Sequence, residues 1–231
     1  LGLLIMFLFG TILWTPLILY PPMMQDLQNY PEDLTGVFLA LRGLGTLCGS
    51  TFLVFINKKL DPRFILSVGF LLQGIAGFYM SHFDINLSAF ELAWTNSLAG
   101  LGVGFVWVPL TLITFNTLDK KFLNEASAFW HLIRNIGSSI SISITIALVI
   151  RSTAINYADL SSFISIFGDS TSVMPLKGTT APSGVESLSG LSKEIVRQSE
   201  MIGYINAFHL YYWIAFSIIP LVWLAPLKPQ N

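Results

Sequence analysis

Apolar stretches separated by polar breaks organise this chain, and six of them reach membrane-spanning length: about 1–24, 34–56, 64–81, 89–116, 126–150 and 205–226. Bilayer hydrocarbon is about 30 Å thick and takes roughly 20 residues of helix to cross, so each stretch predicts one transmembrane α-helix. The expected fold is an all-α membrane protein, a bundle of six transmembrane helices. Five of them fill 1–150, a long connection occupies 151–204, and the last helix with a short tail occupies 205–231.

Basic residues of short loops stay on the cytoplasmic side of a membrane, which orients the bundle. Loops 25–33 and 82–88 hold no Lys or Arg, whereas 57–63 holds Lys58, Lys59 and Arg63 beside Asp61, 119–125 holds Lys120 and Lys121, and the tail holds Lys228. The basic loops and both ends are therefore expected inside, and 151–204 outside. Gly, Ser, Thr and Pro between 168 and 190 predict a flexible extracytoplasmic loop. From 191 to 203, Leu191, Ile195, Val196 and Ile202 interleave with Lys193, Glu194, Arg197 and Glu200, which predicts a short amphipathic helix, either at the membrane interface or solvated.

Composition sharpens this picture. The chain is 53% hydrophobic and 11% charged with a mean hydropathy of +0.68, against roughly 25% charged residues in an average soluble domain, so a water-soluble fold is excluded. Net charge is −1 and no basic run exceeds a Lys pair, which sets nucleic acid aside. The single Cys48 can build neither a disulfide nor a thiolate metal site, and no metal or cofactor is expected. Without a Ser/His/Asp set, an HExxH, a P-loop or paired intramembrane carboxylates, the chain does not read as an enzyme. Its start, Leu-Gly-Leu-Leu-Ile-Met, lacks the basic region of a signal peptide and reads as a cut inside or just before a membrane helix.

Chemistry is sparse within the spans. Asp and Glu sit in loops or at helix ends, Glu91 coming closest at the outer entry of the fourth span. A proton-driven pump uses a titratable carboxylate within the membrane, so a pump of this kind would carry it outside this chain. Arg42 and Arg134 both fall near the midplane, where a lipid-facing arginine costs about 2.5–3.5 kcal/mol, so both are expected to face the protein interior or a cavity. Ser127, His131, Arg134, Ser138, Ser141 and Thr145 recur at steps of four and three, one helix face.

That stripe has two readings. It lines a central aqueous pathway in which Arg134 meets an anionic substrate or a carboxylate from elsewhere, or its small hydroxyl residues let helices pack while Arg134 caps carbonyls. His131 is either a proton shuttle or a hydrogen-bonded packing residue. Gly100 and Gly104, with Gly45 and Gly49, predict close helix packing, and Pro16, Pro109 and Pro220 predict kinks.

Three stretches carry a family resemblance: Leu41-Arg-Gly-Leu-Gly-Thr46, Leu60-Asp-Pro-Arg63, and Leu132-Ile-Arg-Asn-Ile-Gly-Ser-Ser-Ile-Ser-Ile-Ser143, with Gly100-Leu-Gly-Val-Gly-Phe-Val-Trp-Val-Pro-Leu110 between them. In order and spacing they resemble the fourteen-span EmrB/QacA-type drug:proton antiporters of the major facilitator superfamily. Where that family carries Gly-Arg-x-x-Asp-Arg, this chain reads Val54, Phe55, Lys58 and Lys59. The resemblance implies the C-terminal half of a major facilitator fold, with a site between halves exposed alternately to either side. It further implies multi-pass residence in a bacterial inner membrane and proton-carrying acids mainly in the absent N-terminal half. Small amphipathic substrates, and a periplasmic adaptor with an outer-membrane channel meeting 151–204, complete the implied partners. A non-transporting membrane scaffold and a solute importer of the same superfamily are the alternatives.

Overall fold

The computed structural model describes residues 2–56, 61–115, 120–162 and 185–224. Its helices are α1 (Gly2–Pro22), α2 (Glu32–Ile56), α3 (Pro62–Met80), α4 (Ala89–Phe115), α5 (Leu123–Ser162) and α6 (Val185–Trp223), and no strand occurs among the described residues. Six of these segments are long and apolar enough to cross a membrane. The protein is a multi-pass, all-α integral membrane protein.

Local chemistry places the helix ends. Asp61 caps α3, its carboxylate accepting from the Arg63 N–H at 2.9 Å, with Pro62 in the first turn where a missing N–H costs nothing. Ser88 and Glu91 close a capping box ahead of α4: the Ser88 N–H and Oγ donate to Glu91 Oε2 at 2.9 and 2.8 Å, and the Glu91 N–H donates to Ser88 Oγ at 3.3 Å. Glu91 thus serves the helix start. Pro21 and Pro22 withhold backbone donors at the end of α1, and the chain continues in a widened π-helical turn, Met23–Leu27. Pro16, Pro109 and Pro220 lie inside continuous helices.

Contacts show the helices alternating in direction. Phe9 meets Trp107 while Tyr20 bonds Thr95, so α1 and α4 are antiparallel; Asn96 donates to Phe38 O and Thr46 to Gly100 O, so α2 and α4 are parallel. This alternation puts the loops at 25–33 and 82–88 at one end, where Gln28 Nε2 donates to Ile85 O at 3.0 Å. The core runs through α1, α3, α4 and α6, with Phe9 set edge-on against Phe70 and Tyr20 against Phe208.

The two longest helices depart from the hydropathy reading. α5 runs to Ser162 rather than ending near 150, and α6 starts at Val185 rather than near 205. At 1.5 Å per residue each is roughly 60 Å long, about twice the hydrocarbon thickness. Hydropathy marks where the solvent changes, whereas a helix continues as long as its backbone and packing allow. Here the extensions pack on one another, Gly203 of α6 lying against Thr153 of α5, and Asn206 Nδ2 donates to Ser152 Oγ at 2.6 Å just beyond. The amphipathic stretch 191–203 is one continuous part of α6, and Arg197 ties it to the bundle by donating to Leu27 O at 3.0 Å and Ile85 O at 3.5 Å. Of the expected loop, 163–184 lies outside the described residues, as do Lys58, Lys59 and Lys228.

Candidate functional site on two related helices

The two membrane arginines occupy matching places. Arg42-Gly-Leu-Gly45-Thr46 in α2 and Arg134-Asn-Ile-Gly137-Ser138 in α5 share one spacing. α2 crosses α4 with Gly100 beneath the carbonyl of Arg42 and Gly45 against Ser97 O; α5 crosses α1 with Gly10 beneath the carbonyl of Arg134 and Gly137 against Phe7 O. A Cβ on any of these glycines would collide with the facing backbone, so the helices can approach this closely only without side chains there. Units α1–α3 and α4–α6 therefore form an inverted repeat, since α1 and α4 run in opposite directions. Gly49 and Gly104 extend the α2–α4 crossing by one turn. Gly10 and Gly137 escaped the sequence reading because α1 and α5 carry one such glycine each and offer no GxxxG pair.

The side chains then diverge. Arg42 is 4% exposed, and its Nη2 donates to Leu13 O at 3.2 Å. Arg134 is half-buried. Its Nε and Nη2 reach Asn135 Oδ1 at 3.4 and 3.1 Å, and its guanidinium lies 5.6 Å from the Trp107 ring centroid, within cation–π range. Trp107 stands edge-on to Phe9 and Trp130, and His131 lies 4.9 Å from Trp130. The result is an aromatic patch carrying one fixed positive charge near the middle of the bundle.

The predicted stripe on α5 splits. Ser138, Ser141 and Thr145 are buried, Ser141 Oγ donating to Thr11 O of α1 at 3.0 Å, whereas His131 is exposed. The exposed polar row runs one residue aside: His131, Asn135, Ser139 and Ser143, each four residues from the next. Its four-residue spacing was visible in the sequence, but so was that of the buried set, and periodicity alone does not say which row meets the neighbouring helix. By contrast, α2 exposes Val37, Leu44, Leu47 and Phe52. Toward the outer end of α5, a cleft of about 430 Å³ lies among Asp26, Tyr157, Glu200 and Tyr204 over an apolar floor. No group of side chains able to hold a metal ion occurs among the described residues.

Fold and site define a class first: a six-helix membrane bundle built as an inverted repeat of two three-helix units. Known proteins then give it relatives. The chain is 23% identical over 211 residues to the multidrug export protein EmrB of Escherichia coli K12, covering 90% of this chain and 41% of that protein. It is 27% identical over 216 residues to the probable multidrug resistance protein EmrY of the same organism, and 22% identical over 212 residues to the fatty acid resistance protein FarB of Neisseria gonorrhoeae, with the same coverage of 90% and 41%. No family model matches. The chain spans about two-fifths of the length of these relatives. Likeness along nine-tenths of the chain, joined to the six spans, supports its place in the EmrB/QacA-type family of major facilitator drug exporters.

Proposed function

We propose that the chain is the C-terminal half of a secondary active multidrug efflux transporter that exports amphipathic compounds by proton antiport with alternating access. The observation that carries this reading is the exposed polar row on α5 beside Arg134 and Trp107. A hydroxyl, amide and imidazole row within a membrane span is unfavourable against lipid and natural against water or a second helical bundle. An aromatic patch with one guanidinium suits amphipathic compounds, combining apolar area with a charge that orients them. The names of the relatives, multidrug export and fatty acid resistance proteins, agree with such a substrate class. Arg134 and His131 belong to the pathway in this reading, while Ser138, Ser141 and Thr145 hold α5 against α1.

No described carboxylate is among the buried residues, so the proton carrier belongs to the other half. Residence in a bacterial inner membrane follows, and the α5–α6 extensions outside the membrane form the platform for a periplasmic adaptor and its outer-membrane channel. The test is efflux by the intact transporter carrying Arg134→Ala. Efflux is expected to fall at least about tenfold with membrane insertion unchanged, the scale of one lost charged contact at about 1.4 kcal/mol. Unchanged efflux by an inserted variant would return Arg134 to a packing role, and efflux indifferent to collapse of the proton gradient would remove the antiport mechanism.

A further inference from the structure

We propose that the cleft lined by Arg151, Ser152 and Asn206 binds the phosphodiester headgroup of one acidic phospholipid. The cleft has a volume of about 380 Å³ and is formed by α5 and α6 alone, with Leu148, Ile155 and Asn156 completing its walls. Hydropathy sets its height in the bundle: the apolar stretch of α5 ends near 150 and that of α6 begins near 205, so Arg151, Ser152 and Asn206 stand where both helices cross the membrane boundary. The phosphates of a bilayer lie at that level, and apolar side chains below it meet acyl chains. Ile140, Ile144, Leu148, Arg151 and Ile155 follow one another at steps of four and three, one face of α5. Ile140 and Ile144 are exposed, so an apolar ridge runs from the bilayer interior up to the guanidinium.

The cleft offers donors and no counter-charge. No Asp or Glu lines it. The one ion pair among the described residues joins Arg197 to Glu194, so no described carboxylate holds the exposed Arg151. Ser152 Oγ accepts from Asn206 Nδ2 at 2.6 Å and from Asn156 Nδ2 at 3.2 Å. Those two bonds use both lone pairs of the hydroxyl, so its own hydrogen is left to donate. Asn206 keeps a second amide hydrogen as well. A guanidinium, a hydroxyl and an amide on one cleft suit the oxygens of a phosphate, which arginine grips through two parallel N–H bonds. Free phosphate would meet the same donors, but the apolar walls and the ridge below them favour a lipid. With no carboxylate to pair an ammonium group, phosphatidylglycerol is preferred over phosphatidylethanolamine. This inference rests on the membrane spans and stands independently of the transport reading.

The experiment titrates the intact protein, purified in detergent, with phosphatidylglycerol, phosphatidylethanolamine or glycerol phosphate, and counts bound lipid by native mass spectrometry. Wild-type protein is expected to hold one phosphatidylglycerol that Arg151→Gln binds about tenfold more weakly, the scale of a lost charged hydrogen bond. Phosphatidylethanolamine is expected to bind less and to be indifferent to the substitution. Arg151 is exposed, so the variant should fold, with its thermal midpoint in detergent unchanged. Ser152→Ala gives a second arm and is expected to bind about fivefold more weakly, the scale of a neutral hydrogen bond. Lys193→Gln removes an equal charge from an exposed position of the α6 extension and is expected to bind as wild type does. Equal phosphatidylglycerol binding by wild type and Arg151→Gln would overturn the site. An equal loss in Lys193→Gln would overturn it as a general effect of surface charge. Displacement of the lipid by equimolar glycerol phosphate would overturn it in favour of a soluble phosphate.

Discussion

At the α2–α4 crossing Gly100 lies beneath the carbonyl of Arg42, and at the α1–α5 crossing Gly10 lies beneath the carbonyl of Arg134, yet the two guanidinium groups end in opposite surroundings. One is sealed near Tyr20 and Tyr211 and donates to Leu13 O, while the other rests half-buried over Trp107 beside an exposed amide. The backbone repeats and the chemistry does not. Close packing asks only for small residues at two positions per crossing, and that demand leaves the arginine side chain free to turn toward whatever its own helix faces. α2 faces outward with an apolar surface and sends its charge inward; α5 carries a polar outer row and keeps its charge at the edge. A shared contact motif therefore says where two helices meet, and says little about what the residues beside it do.

The strongest way to break the comparison is to fill the crossings. Gly100→Val and Gly10→Val each drive a branched side chain into facing backbone, which cannot move without separating the helices. Each is expected to cost about 3 kcal/mol, the upper end of ordinary overpacking, read as a shifted midpoint in denaturant titration of the intact protein. Similar losses in both variants would confirm two equivalent crossings. A loss under about 1 kcal/mol in either would show that crossing to be loose, and the repeat to be one of spacing alone.

A smaller effect of opposite sign comes from the residue after each arginine. Gly43 has open space around the place of its missing Cβ, whereas its counterpart Asn135 holds Arg134. Gly43→Ala is expected to stabilise the protein by about 0.8–1 kcal/mol, the helix-propensity gain of Ala over Gly, with efflux unchanged. Asn135→Ala is expected to leave the midpoint within about 0.5 kcal/mol, as exposed substitutions do, and to lower efflux. If Gly43→Ala instead impairs efflux, the outer face of α2 is a helix contact and the contrast between the two faces collapses.

Much of this architecture was legible in the residues, for stated physical reasons. Bilayer thickness imposes span length, so six apolar stretches were countable, and Gly45, Gly49, Gly100 and Gly104 were readable as packing residues because small residues at four-residue spacing have few other uses in lipid. The extent of α5 and α6 was not legible, since polar residues such as Asn156 and Asn206 lower hydropathy while the helix they stand on continues. Nor was the division of the α5 polar residues: Ser138 and Ser139 are adjacent and alike, and only the position of α1 decides that one is buried and the other exposed. Both arginines were identified by the cost of charge in a membrane. That cost is equal for the two, which is why their different surroundings could be found only in the packed structure.

The smallest expected effect concerns one hydroxyl-to-carbonyl hydrogen bond at each crossing. At α2–α4 it comes from Thr46, whose Oγ1 lies 3.0 Å from Gly100 O; at α1–α5 it comes from Ser141, whose Oγ lies 3.0 Å from Thr11 O. The donors are not repeat-equivalent. Ser138, the counterpart of Thr46, bonds back to its own helix at Arg134 O and Asn135 O, and Ser141 stands where α2 has Gly49. Where α2 has a second glycine to bring α4 closer, α5 has a hydroxyl that spans the gap. Interhelical hydrogen bonds in membranes average about 0.6 kcal/mol, so Thr46→Val and Ser141→Ala should each cost about that much. Thr46 also reaches Arg42 O at 3.0 Å, so its hydroxyl has an alternative acceptor within its own helix. A double variant should therefore lose the sum of the two, since the crossings share no side chain and distant sites add. Coupling beyond about 0.5 kcal/mol would show that the crossings move as one body, tying the buried arginine to the half-buried one through the helices between them.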